Sequence, residues 1–213
     1  MKKPKAYFSG MLNQHEFIQR HKFTTQRIAN GFARIDMGFL LGRSIYDIVD
    51  YEQLCEQTKI NISDKEISIL FKKPVPSASL FFSKVNDSSI ANEKRMIRGT
   101  VIENEHEREI HFSHPWAVKR DNSGITIVEN LCRFQEEGRG IQDWVSDRLE
   151  YLISYFNDGC TGLFLYQELA KDVPKKWEGS FTNGLVSAVY DHVHSGKLKM
   201  CHQDGRIIYK SRK

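Results

Sequence analysis

Acidic and histidine side chains crowd into one short stretch near the middle of the chain. Its members are Glu103, Glu105, His106, Glu107, Glu109, His111 and His114. Carboxylates and imidazoles are the ligands of many metal sites, so metal binding is the first chemistry to consider. The stretch alternates like a β-hairpin, however, and strand residues an odd number of positions apart face opposite sides. His111 and His114 should therefore diverge, with His106 in the turn, and we predict a solvated hairpin that binds no metal.

Sequence motifs of the common enzyme sites are absent from the chain. It has no GxxxxGK[ST] phosphate loop, no GxGxxG motif after a strand, no GxSxG elbow and no HExxH zinc motif. Acidic pairs, either Asp64 with Glu66 or Glu103 with Glu105, leave a metal-dependent nuclease as a third interpretation behind two non-catalytic ones. We therefore predict no catalytic residue and no cofactor.

A second set of residues able to do chemistry is the group of cations near the C-terminus. The predicted phosphate contacts are Lys175, Lys176, Lys197, Lys199 and Arg206. Lysine and arginine neutralise nucleic-acid phosphates and release counterions, which gives affinity for any sequence. The alternative is a solvated hairpin, since lysines on an edge strand also prevent aggregation.

Two helices offer polar side chains that could read base edges. On the C-terminal helix Asn183 and Ser187 lie opposite the apolar residues, and asparagine is a usual partner of adenine. Thr182, at the start of that helix, is the third predicted DNA contact. On an N-terminal helix Arg27 and Arg34 lie opposite an apolar stripe, and arginine is the usual partner of guanine. Position favours the C-terminal helix and residue chemistry favours the N-terminal one. We expect Asn183 to read the bases.

The elements that would position these side chains follow from local signals. A short helix should end before Pro174, because proline disfavours a helical conformation in the residue before it. Ser180 or Thr182 should cap a second helix that ends near His194 and is closed by Gly196. A tight hairpin across Asp204-Gly205 should follow. With a preceding helix over 141–156, this order predicts a winged-helix-like domain over 137–213.

The N-terminal region reads as helices packed on an antiparallel sheet. Thr24 or Thr25 should cap a helix over about 24–41, whose apolar end favours an interface with a partner chain or a second copy. Ser44 with Asp47 should open a shorter helix. Alternating residues predict a hairpin over 60–71 and strands over 80–85, 96–103, 108–114 and 125–131. A linker over 135–140 gives an α+β chain with domains 1–136 and 137–213.

Composition is that of a soluble protein with a core, 40% hydrophobic and 27% charged. No apolar run approaches a membrane span or a signal peptide, so we expect a cytoplasmic protein. Charge is unevenly divided: residues 1–59 carry nine cations and six anions, 60–159 thirteen and sixteen, and 160–213 nine and five. The net charges are thus +3, −3 and +4, so a nucleic acid would meet the ends.

These observations predict a sequence-dependent duplex-DNA-binding protein, a regulator of transcription or of mobile-element replication. The alternative is a protein-interaction subunit that uses its winged helix for docking. The sequence leaves the DNA site, the pathway and the oligomeric state open.

Overall fold

The computed structural model describes residues 4–72, 92–113, 115–116, 124–131 and 138–212. The chain forms two compact units. The first unit comprises Met1–Asn30 and Val49–Cys132, and the second comprises Gly31–Ile48 and Arg133–Lys213. The described residues mix helices with antiparallel strands, as the sequence predicts for an α+β chain. Residues 31–48, which the sequence analysis placed in the first domain, group with the second unit.

The first unit contains a four-stranded antiparallel sheet in the order β1-β2-β3-β4. Its strands are β1 (Lys5–Leu12), β2 (Arg95–Glu103), β3 (Glu107–Ser113) and β4 (Ile125–Asn130). The last three confirm the strands predicted over 96–131. Strand β1 was not predicted, because its exposed first half lacks a clear apolar alternation. The strand predicted over 80–85 lies outside the described residues, as does the first half of the linker predicted over 135–140. The second half of that linker is helical, because a helix begins at Gly138.

Helix α1 (Gln14–Ala29) packs its apolar side against this sheet. Asn13 caps it: the Asn13 side chain accepts from the Glu16 N–H at 2.8 Å, and the Glu16 carboxylate accepts from the Asn13 N–H at 3.0 Å. The prediction that Thr24 or Thr25 caps the helix is wrong, since both hydroxyls donate to carbonyls one turn back. The hydrophobic core between α1 and the sheet includes Phe17, which is fully buried.

Two short helices have capping boxes at their N-terminal ends. Helix α3 (Ile45–Glu52) confirms the predicted capping box, because the Asp47 N–H donates to Ser44 Oγ and the Ser44 N–H donates to Asp47, both at 3.1 Å. The hairpin predicted over 60–71 is wrong: this stretch forms helix α4 (Asp64–Leu70). Ser63 and Glu66 form another capping box there, a local signal that outweighs the alternation of isoleucines.

The described residues of the second unit form four helices and a hairpin. They are α2 (Arg34–Leu41), α5 (Gly138–Tyr151), α6 (Gly162–Leu169), α7 (Phe181–His194), β5 (Leu198–Gln203) and β6 (Arg206–Ser211). The predicted order of helix, helix and hairpin is confirmed, and α7 ends where predicted, before Gly196 at φ 77°. A short 3-10 turn, Ile153–Phe156, follows α5 where the sequence predicted continuous helix.

The hairpin turn has the geometry that its sequence predicts. Asp204 and Gly205 have φ angles of 50° and 71°, the positive pair that a two-residue turn between twisted strands requires. A third segment lies along β6, because Cys160 and Tyr209 exchange backbone hydrogen bonds of 3.0 and 2.8 Å. The Ile207 N–H also donates to the Gly42 carbonyl at 2.8 Å, so residues before α3 and before α6 both extend this edge.

Close helix packing holds the second unit together. A Cβ at Gly184 in α7 would lie 2.7 Å from the Ile141 side chain of α5, so only glycine allows this approach. Helix α2 buries Met37, Leu40 and Leu41, and its Phe39 ring lies 5.4 Å from the ring of Tyr209. The apolar end of α2 is thus covered within its own unit, which accounts for the composition that suggested an interface with another chain.

A single long helix over 24–41 was also predicted, and it is wrong. The chain leaves helix α1 after Ala29, and Gly31 follows with φ 77° before α2 begins at Arg34. Arg27 and Arg34 therefore stand on different helices. None of the described helices is both long and apolar enough to cross a membrane.

Candidate nucleic-acid interface

The outward strip of α7 is narrower than the sequence predicts. Thr182, Asn183 and Ser187 are all half-buried, and none is fully exposed. Much of the remaining circumference is buried: Phe181, Gly184, Leu185, Val186, Ala188 and Val189. Val186 joins the buried arc, although the helical wheel did not place it there. The strip carries an amide and two hydroxyls, groups that donate to or accept from base edges and phosphates.

The residues before α7 place two lysines beside its N-terminus. Lys175 and Lys176 are exposed in a 3-10 turn that ends at Trp177. Ser180 occupies the predicted N-cap position, but its hydroxyl donates to the Trp177 carbonyl at 3.4 Å and makes no cap bond. The first turn of α7 thus combines its own positive helix end with two lysines, an environment that favours anions.

The hairpin carries its cations on one face. The register pairs Lys199 with Lys210 and Gln203 with Arg206. Alternation along each strand therefore puts both lysines and Arg206 on the same side, while Leu198 and Tyr209 on the other side are buried. Two like charges directly opposite each other destabilise a strand pair. Within the part of the chain that the structure describes, no carboxylate forms an ion pair with either lysine.

The two lysines differ in their surroundings. Lys199 is exposed, whereas Lys210 is half-buried and its stem lies along Gly159, where a Cβ would be 2.8 Å from the lysine Cε. Gly159 has φ 95°, so a larger residue there would be strained as well as crowded. The stem of Lys210 is consequently held against Gly159, at the edge of β6 that pairs with Cys160.

Lys197 differs from the other predicted phosphate contacts. Its Nζ donates to the Glu150 carboxylate at 3.0 Å, and both side chains are exposed. The hydrogen bond from Lys197, with its charge, lowers the pKa of Glu150. A phosphate at Lys197 would have to displace this carboxylate. The hairpin lysines are therefore of two kinds: Lys197 is already paired, and Lys199 and Lys210 are cross-strand partners.

The prediction that Arg27 and Arg34 form a base-reading surface is wrong. Arg27 is fully buried, with Nε 2.6 Å from Glu52 and its two Nη atoms 2.5 and 3.0 Å from Glu129. Burial disfavours the cation, yet the two carboxylates outweigh burial and raise the pKa of Arg27. Arg34 is also buried, at 9% exposure. Helical spacing alone predicted an exposed Arg27. The prediction failed because α1 also buries its polar side, against acidic residues that are distant in sequence.

The acidic and histidine stretch forms strand β3 and the turn before it. His106 is exposed in that turn, as predicted, and His111 contacts Thr126 at 2.9 Å and Glu109 at 3.2 Å. Glu103 pairs with Arg108 at 2.6 Å. Among the described residues no three histidines, cysteines or acids stand close enough to hold a metal ion. His114 lies outside those residues.

An aromatic and cationic stack stands beside the turn before α7, and the sequence analysis missed it. The Arg148 guanidinium lies 3.9 Å from the ring centroid of Trp144, and the Lys176 ammonium lies 4.2 Å from that of Trp177. The two indole rings are 6.1 Å apart. One signal was available, because Trp144 and Arg148 are four residues apart and so share a face of α5.

Comparison of the chain with protein families, with curated proteins and with solved structures finds no match. Function must therefore be argued from the geometry of the described residues.

Proposed function

We propose that the second unit binds duplex DNA in a sequence-dependent way, as a winged-helix-like module of a regulator of transcription or of mobile-element replication. The observation that carries the proposal is the pair Lys199 and Lys210, opposed on one hairpin face. Such a pair costs stability in the free protein. A polyanion lying across the hairpin would contact both cations through its phosphates. Binding would then be favoured, because the repulsion between the two lysines is relieved.

The order of elements supports a winged-helix-like arrangement. Helix α5, the segment at Cys160, helices α6 and α7 and the hairpin follow one another, and Cys160 pairs with β6 as a third strand would. In helix-turn-helix proteins the second helix of the motif lies in the major groove and its N-terminal residues contact base edges. By this analogy α7 is the reading helix and the hairpin is the wing.

The side chains of α7 offer a small number of groups that can contact base edges. Asn183 could make a bidentate contact with adenine, while Thr182 and Ser187 could contact either bases or phosphates. Lys175 and Lys176, exposed beside the helix N-terminus, would contact the backbone on the approach to the groove. Residues 160–213, with nine cations and five anions, have a net charge of +4, which favours non-specific affinity for the same partner.

The test is the salt dependence of duplex binding. Fluorescein-labelled random duplex is titrated at several salt concentrations and followed by anisotropy, with and without Mg²⁺. We expect salt-steep binding, and Lys199→Ala with Lys210→Ala should lower the slope of log K against log salt by about two, roughly 0.9 for each lost phosphate contact. A matched control is Lys22→Ala with Lys65→Ala, which removes two exposed lysines of the first unit.

The outcomes separate the three functional classes. Binding with an unchanged slope in the hairpin variant removes the wing from the interface. Mg²⁺-dependent cleavage of the duplex would instead support the nuclease. Absence of any binding would favour the protein-interaction subunit. Two features of the α7 strip support that alternative: its residues are half-buried, and it carries no Arg, Lys or Gln.

A further inference from the structure

The stack of Arg148, Trp144, Trp177 and Lys176 holds two cations in fixed places. Each cation lies over one indole ring, at 3.9 and 4.2 Å, and the indoles meet at an interplanar angle of 60°. Arginine and lysine side chains are otherwise free to adopt many rotamers, and ordering them costs conformational entropy. Contact with the indoles restricts both side chains in the free protein, which lowers that entropy cost.

Neither cation is neutralised. Among the residues that the structure describes, Arg148 and Lys176 form no ion pair and no side-chain hydrogen bond, although α5 also carries the exposed acids Asp143 and Asp147. An indole ring attracts a cation through its face but offers no acceptor to the N–H groups. The five N–H donors of the guanidinium and the three of the ammonium thus remain available to an anion.

The stack adjoins the N-terminal end of α7. A Cβ at Gly140 would lie 3.5 Å from the Trp177 ring, and the Ile141 side chain fills the space left by Gly184 in the first turn of α7. Trp177 is itself followed closely by Ser180, the N-cap residue. An anion bound by Lys176 would consequently lie beside the end of the helix that we propose to enter the groove, and one bound by Arg148 would lie further along α5.

We infer that Arg148 and Lys176, held in place by Trp144 and Trp177, form a clamp for DNA backbone phosphates that flanks the base contacts of α7. The inference rests on the proposed function and adds α5 to the DNA-contacting surface. Arginine suits this role because its planar fork can bind two phosphate oxygens at once. The indoles act as positioning residues, which keep the cations aimed without competing for them.

The test combines duplex affinity with tryptophan emission. Arg148→Gln with Lys176→Gln should reduce the salt slope of labelled-duplex binding by about two, equally for all sequences, whereas Lys22→Gln with Lys65→Gln should leave it unchanged. Arg148→Lys should restore part of the loss, since it returns the charge without the fork. Thermal unfolding of each variant confirms that it is folded before binding is compared.

Tryptophan emission supplies the second measurement. The chain has three tryptophans, and Trp116 is buried in the first unit at 4% exposure. Added unlabelled duplex should change the emission of wild-type protein. Trp144→Phe with Trp177→Phe should abolish most of that change, because it removes the two indoles beside the phosphates.

Two failures are distinguishable. If wild-type protein does not bind the duplex, both the proposed function and the clamp are refuted. If it binds, but the Arg148 and Lys176 variant keeps the wild-type slope and the emission does not respond to duplex, the clamp alone is refuted.

Discussion

Arg27 in the first unit and Lys199 in the second are both cations on elements that the sequence marks as polar on one side. Arg27 is fully buried between Glu52 and Glu129, whereas Lys199 is exposed and faces Lys210. The first cation neutralises buried carboxylates and is closed to any partner. The second weakens the free hairpin and is open to an anion. Residue type and helical or strand period do not distinguish the two cations. They differ only in the side chains that the fold places next to them.

The largest effect should come from breaking the buried cluster. Arg27→Met leaves Glu52 buried without its cation, whereas Glu129 keeps Arg108 at 2.8 Å. Loss of one partner of a buried ion pair costs about 3–5 kcal/mol. Urea unfolding of the full chain measures the loss. Glu52→Gln, which keeps the hydrogen-bonding shape and one carboxylate, should cost less. A stable Arg27→Met protein with impaired DNA binding would show that Arg27 acts at an interface after all.

An intermediate effect is expected at Asn183. Asn183→Ala should lower affinity for a selected DNA site by the discrimination of one bidentate adenine contact, about 1–3 kcal/mol, while binding to random duplex stays nearly unchanged. Selection from a random library followed by anisotropy titration measures both. Ser187→Ala, one turn along the same strip, is the neighbouring comparison. Equal losses for selected and random duplex would make Asn183 a backbone contact.

A smaller effect, of opposite sign for folding and for binding, is expected at the hairpin. Lys199→Glu replaces a repulsive cross-strand pair with an attractive one, so the free energy of unfolding should rise by roughly 0.2–1 kcal/mol. The same change should weaken duplex binding, because it places an anion against phosphates. Chemical denaturation and anisotropy on one preparation give the two results. A variant that is less stable would contradict the opposed-lysine interpretation.

The smallest effect is expected at the exposed pair of Lys197 and Glu150. Exposed ion pairs contribute little to stability, so Lys197→Gln should change the unfolding free energy by less than about 1 kcal/mol. Glu150→Gln should strengthen duplex binding, since it frees the Lys197 ammonium from its carboxylate partner. Lys197→Gln with Glu150→Gln should remove that gain. No change with Glu150→Gln would place Lys197 outside the interface.

Much of the second unit could be predicted because its signals are local. Pro174 follows the end of α6, Gly196 closes α7 in a left-handed conformation, and Asp204 with Gly205 makes the turn. Each depends on the φ angles that one or two residues prefer. Helix α4 carries a local signal of the same kind, the Ser63 and Glu66 capping box, although the alternating isoleucines predicted a hairpin there.

The parts that could not be predicted depend on contacts between distant residues. Arg27 meets Glu129 across 102 positions, and no spacing rule connects them. Arg148 and Trp144 share a helix face, yet the stack exists only because the turn at Lys176 and Trp177 lies against it. In such cases burial and pairing are decided by packing, and packing is a property of the whole fold.

The sequence by itself determined the Ser44–Asp47 capping box, the end of α7 before Gly196, the hairpin turn, three strands of the sheet and the surplus of cations after residue 160. Backbone preferences and side-chain period act over a few residues, so these features can be predicted without knowledge of the fold. Tertiary structure alone decided that residues 31–48 join the second unit, that Arg27 is enclosed by acids and that Lys197 is paired while Lys199 faces another lysine. The physical reason is that the electrostatic energy of a charge depends mainly on the groups within a few ångströms of it. Those groups can come from any part of the chain.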